Sequence, residues 1–171
     1  MIGLRKIGGF SLIELVIVIA IMAIAASIGT ISFNSWQTKY KIEGQTREIY
    51  NDLNQARANA FQQKREHRVI FQPSSYVMKS YSSEFEPIDS GNTVLSKSNL
   101  TFGLTRRDSS TLALDANISD YRIIFDTRGF ATGNFTMIVN PYTAGSSVNC
   151  IVISATRVNL GKINGTTCEF R

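Results

Sequence analysis

From Phe10 to Ile31 the chain has 22 positions broken only by Ser11, Glu14, Ser27 and Thr30 among residues that are otherwise apolar or glycine. About 20 apolar residues at 1.5 Å each cover the ~30 Å hydrocarbon core of a bilayer, so residues 10–31 read as a membrane-spanning helix. After it the pattern turns amphipathic: Ile42, Thr46, Ile49, Leu53, Ala56 and Ala60 recur at spacings of four and three, and Lys39, Glu43, Arg47, Asp52 and Arg57 fall elsewhere. That periodicity predicts one helix over residues 32–66 with a single buried stripe, ending near Lys64 to His67. From residue 67 to 171 the period shortens. Stretches 69–72, 76–81, 100–104, 121–126, 135–140, 149–155 and 157–160 are rich in β-branched and aromatic residues, and turn chemistry separates them. Residues 82–98, polar and carrying Pro87 and Gly91, read as a loop. The expected fold is α+β: a long N-terminal helix packed on a mostly antiparallel sheet head.

At 171 residues and 43% hydrophobic content there is room for one small domain with a real core. The formal charge is +5, and setting aside Arg5 and Lys6, which precede the apolar run, leaves +3. Such a mild excess does not by itself call for a polyanionic partner. Those two cations flank the run on its N-terminal side, which places the first nine residues in the cytoplasm and the bulk of the chain outside.

Cys150 and Cys168 form no Cys-x-x-Cys and have only the solitary His67 for company, so no metal site, redox motif or cofactor is expected. In an extracytoplasmic head these two cysteines would pair, and closing so short a loop stabilises by roughly 3 kcal/mol. His67 is expected at the end of the helix, near its last carbonyls, and Arg106-Arg107, followed at once by Asp108, in a solvated loop. Without a nucleophile or phosphate-binding motif, no enzymatic activity is expected.

Glu14 is the anomaly, one carboxylate at the head of an apolar run. A charged residue such as Asp at the centre of a membrane helix costs about 2.5–3.5 kcal/mol on insertion scales, so a carboxylate in such a place needs a compensating partner or task. The run Gly8-Gly9-Phe10-Ser11-Leu12-Ile13-Glu14, after the short basic segment, resembles a type IV prepilin. The resemblance implies that residues 1–9 are a leader, that a prepilin peptidase cuts between Gly9 and Phe10, and that the new amine of Phe10 is methylated. It further implies that Glu14 pairs with the N-terminal amine of an adjacent subunit and sets the axial register of assembly. The expected location is the bacterial inner membrane, single-pass with the head in the periplasm, and then a filament.

The C-terminal part, Tyr121-Arg-Ile-Ile-Phe-Asp-Thr-Arg-Gly-Phe, Phe135-Thr-Met-Ile-Val and Cys150-Ile-Val-Ile-Ser-Ala-Thr-Arg157-Val158, is similar to the GspH/FimT-type minor pilins and pseudopilins. That likeness implies a subunit which, with other pilin or pseudopilin subunits, primes or tips a type IV pilus or a type II secretion pseudopilus. Its DNA-uptake members contact DNA through Gly-Arg-x-Arg, which makes DNA capture in natural transformation the alternative function. Here Thr156 replaces the glycine and Asn159 the second arginine, leaving Arg157, Lys162 and Arg171 as candidate DNA contacts. So few cations imply weak, strongly salt-dependent binding. Phe130 and Phe170 are expected to be core or strand-packing residues rather than base-stacking platforms.

Overall fold

Helix α1 (Leu12–Gln63) starts where the Ser11 carbonyl accepts hydrogen bonds from the amides of Glu14 (3.1 Å) and Leu15 (3.2 Å). In this computed structural model the described residues are 9–83, 85–87, 89–108, 114–115, 118, 121–165 and 167–170, with backbone alone at 28–32, 108, 114 and 115. The chain falls into two compact units that divide between Gln37 and Thr38, inside the helix.

In the first unit every described side chain of α1 up to Gln37 is exposed, including Leu12, Ile13, Leu15, Ile17, Ile21 and Ile24. A helix that is apolar all round needs lipid or other helices around it. Among the described residues, no helix is long and apolar enough to cross a membrane. The expected span 10–31 includes positions 28–31, whose side chains lie outside the described residues.

In the second unit α1 carries the predicted stripe: Ile42, Thr46, Ile49, Leu53, Ala56 and Ala60 are all buried. The helix stops at Gln63, just before the expected end near Lys64 to His67, because Lys64 adopts a left-handed φ of 53° that turns the chain back into a strand. His67 is therefore not a helix-end residue; it lies fully buried in β1 (Glu66–Gln72).

Strands β1, β2 (Ser75–Tyr81), β3 (Asn92–Lys97) and β6 (Tyr121–Phe125) form one antiparallel sheet in the order β3-β2-β1-β6. A second, six-stranded sheet runs β10-β9-β8-β7-β4-β5, from β4 (Leu104–Asp108), β5 (Leu114–Asp115), β7 (Phe135–Val139), β8 (Cys150–Ile153), β9 (Val158–Asn164) and β10 (Thr167–Phe170). The α1 stripe joins Val69, Phe71, Tyr76, Ile123, Phe135, Met137 and Ile151 in one apolar core.

Polar ties fix the helix to the loop before β4 and to β2. The Gln45 side chain donates to the Phe102 carbonyl (2.7 Å) and accepts from the Phe102 amide (3.0 Å). Tyr76 donates to Asp52 (2.6 Å), and burial, aided by that carboxylate, pushes the Tyr76 phenol well above its ordinary range.

Two expectations about strands fail here. Residues 100–103 are a loop, because both peptide groups of Phe102 are taken by Gln45 instead of a neighbouring strand. Residues 92–97, expected in a loop, are the edge strand β3, held by its ladder to β2. Arg106 and Arg107 are likewise not in a solvated loop but in β4, where Arg106 lies over the Tyr121 ring (4.2 Å) and Arg107 is buried.

Candidate assembly surface and polyanion contacts

Gly9 and Phe10 precede the helix, and among the described residues a Cβ added at Gly9 would meet nothing within 4 Å. Phe10 is exposed, and Glu14 is the acidic residue in the first turn of α1. It stands among side chains that are all exposed, so a cation supplied from outside the chain can reach it.

Arg157 closes the turn between β8 and β9. Its amide bonds the Ser154 carbonyl (3.3 Å) and its carbonyl accepts from the Ser154 amide (2.8 Å) and hydroxyl (3.0 Å). The backbone is thus fixed while the guanidinium stays exposed. Lys162 lies five positions on, towards the far end of β9, which at ~3.3 Å per residue puts it roughly 16 Å away, beyond the ~10 Å screening length at 0.1 M salt. It is half-buried and stands opposite Glu169 in the β9–β10 register. The structure therefore does not gather Arg157 and Lys162 into one patch, and Arg171 lies outside the described residues.

Cys150 and Cys168 are joined by a disulfide, with Cα atoms 6.2 Å apart. The bridge passes over Gly161 of β9: a Cβ there would sit 2.6 Å from Cys168 Sγ and 2.5 Å from the Glu169 carbonyl oxygen. Only glycine leaves room for β10 to lie this close.

Several features escaped the sequence reading. Glu66 and Arg68, one strand repeat apart, form a buried ion pair, and the Arg68 guanidinium lies 3.9 Å from the centre of the Tyr81 ring. Their i, i+2 spacing in a strand was the available signal. Phe130 (41% exposed) and Phe170 (63% exposed) are not core residues: one follows a turn, the other ends an edge strand. Phe61, also exposed, is an aromatic lying off the buried stripe of α1, which marked it as unexplained by packing. Among the described residues no group of three or more His, Cys, Asp or Glu is placed to hold a metal ion.

Residues 4–30 match the family model of the prokaryotic N-terminal methylation motif, and residues 45–157 match that of the type II transport protein GspH. Among solved structures, a crystal form of the type IV minor pilin FimU from Pseudomonas aeruginosa is similar at a TM-score of 0.51 and 13% identity, covering 78% of this chain and 96% of that one. A second crystal form of the same protein gives 0.48 and 14%, covering 74% and 95%. No curated protein matches the chain. The FimU likeness is one of fold, the long N-terminal helix followed by antiparallel sheets.

Proposed function

Because the chain belongs to the family of the type II transport protein GspH and is a GspH/FimT-type minor pilin, we propose that it is a subunit that primes or tips a type IV pilus or a type II secretion pseudopilus. In this reading a prepilin peptidase cuts between Gly9 and Phe10, the Phe10 amine is methylated, and residues 10–31 cross the inner membrane with the head in the periplasm. The observation that carries it is the first part of α1, exposed and apolar all round with one acid in its first turn. Buried among like helices, an unpaired carboxylate is costly, and the cationic amine that cleavage creates on a neighbour's Phe10 is a matching partner.

Mass spectrometry of the chain from membranes should find a mature N-terminus at methylated Phe10. Glu14→Ala should still be cut yet fail to enter filaments. Incorporation of that variant at the wild-type level would sink the register role.

A second reading, contact with DNA, is favoured by one observation, the exposed Arg157 guanidinium on a rigid turn. Titration with duplex DNA at several salt concentrations should give weak binding that falls steeply with salt and is lost in Arg157→Ala; affinity indifferent to both would remove it.

A further inference from the structure

We propose that the end of the head where α1 gives way to β1 is self-complementary: the acidic loop around Phe85 of one copy of this chain seats in a basic, aromatic groove of a second copy. The strand registers put the two halves of this surface side by side. Tyr81 stands opposite Glu66, and Phe125 opposite His67, so loop 82–91 and turn 126–130 leave the sheet on either side of the start of β1.

The groove, about 380 Å³, is lined by Arg57, Phe61, Arg128 and Gly129. Gly129 (φ 80°) brings the turn onto the helix, its Cβ position 3.6 Å from both Arg57 Cγ and Phe61 Cβ. Asp126 shapes the turn, accepting from the amides of Arg128 (2.9 Å) and Phe130 (2.8 Å) and from the Arg128 guanidinium (3.0 and 2.9 Å). Lys64 lies 4.1 Å from the centre of the Phe61 ring and Arg128 5.3 Å from that of Phe130. Lys64 and Arg128 thus each lie over an exposed ring, Arg57 lines the groove beside them, and Asp126 is the carboxylate bound into the turn.

The loop is the inverse in charge. Phe85 is 95% exposed, flanked in sequence by Glu84 and Glu86, with Asp89 following. It is displayed on a braced segment: the Glu86 carbonyl accepts from Arg68 (3.0 Å), and the Glu86 carboxylate accepts from the Ser82 amide (3.0 Å). A groove with one aromatic wall, Phe61, and with Arg57 and Arg128 in its lining suits an exposed ring with acids beside it. Since both halves share one end of the head, a two-fold contact engages both at once, each copy giving a loop and receiving one. Pairing of this kind is independent of the assembly role assigned to α1.

Sedimentation of the full-length chain in detergent should show a reversible dimer that weakens with salt and, in Phe85→Ala, by roughly tenfold or more. Asp89→Lys and Arg128→Glu should each weaken self-association, while an equimolar mixture of the two variants pairs better than either alone, because both of its contacts join opposite charges. Phe85→Ala, altering a residue that supports no core, keeps the test valid should Arg128→Glu disturb the turn. A chain that stays monomeric, a dimer indifferent to all head variants, or a mixture no tighter than its components would overturn the proposal. So would a monomer that binds a single-stranded oligonucleotide through Phe61, which would give the groove to nucleic acid.

Discussion

Gly161→Ala adds one methyl group where the bridge crosses β9, and the structure sets its consequence. The new Cβ would stand 2.5 Å from the Glu169 carbonyl oxygen, 2.6 Å from Cys168 Sγ and 3.1 Å from the Glu169 carbonyl carbon. Non-bonded heavy atoms settle near 3.5–4.0 Å, so β10 must retreat by about 1 Å. Its obstacles are backbone and a bridged sulfur, neither of which can swing aside as a side-chain tip does. Overpacking of this kind costs about 1–3 kcal/mol when the surroundings yield. If β10 instead comes away and the bridge does not close, the loss is that of a cross-link between residues 18 apart, roughly 3 kcal/mol by loop entropy. A unit the size of residues 38–171 has an unfolding entropy near 0.3 kcal/mol/K, so the upper case lowers Tm by about 10 °C. Thermal melts of the full-length chain in detergent, with thiol titration alongside, read both outcomes. The penalty should shrink in a Cys150→Ser/Cys168→Ser background, where the sulfur bridge no longer pins β10. A Gly161→Ala chain with its bridge intact and an unchanged melting temperature would refute the reasoning.

Burial lowers the His67 pKa; the hydrogen bond with the Arg65 carbonyl opposes this, and the Arg65 charge adds to it. Folding therefore favours the neutral ring: its contribution is intact above the unfolded value near 6.5 and is lost as pH falls from there towards the folded value, at up to about 1.4 kcal/mol per pH unit. Urea midpoints should fall below pH 6.5 in the wild type and fall less in His67→Leu. Tyr76→Phe removes the donor to Asp52 and should cost about 1–3 kcal/mol in chemical unfolding. Asp52→Asn, which keeps an acceptor at that place, should cost less.

Legibility in the sequence followed the range of the interactions responsible. The stripe from Ile42 to Ala60 was readable because a helix repeats its own geometry and the buried face needs no knowledge of what covers it. Strands β1, β2, β6, β7, β8 and β9 were readable for the same reason, as runs of β-branched and aromatic residues. What the pattern could not reveal depended on distant partners. Phe102 looks like a strand residue until Gln45, 57 positions away, takes its peptide groups. Asn92 to Lys97 look like a loop until β2 offers them a ladder. His67 and Arg107 carry polar side chains at positions the fold buries. Of the candidate sites, the Gly9, Phe10 and Glu14 signature was local and legible, whereas the exposure of Phe130 beside Arg128 belongs to tertiary structure.

The Gln45 clamp bears on how this head can diversify. Gln45 grips the amide and carbonyl of residue 102 and none of its side chain, so the anchorage is blind to the identity of the loop it holds. Ser98 and Thr101, both exposed, can then change in sequence, and the surface they present can change with them, while Leu100, packed against the core, and the point of attachment stay where they are. A scaffold fastened through backbone atoms lets a lineage rewrite one outward face without redesigning the interior.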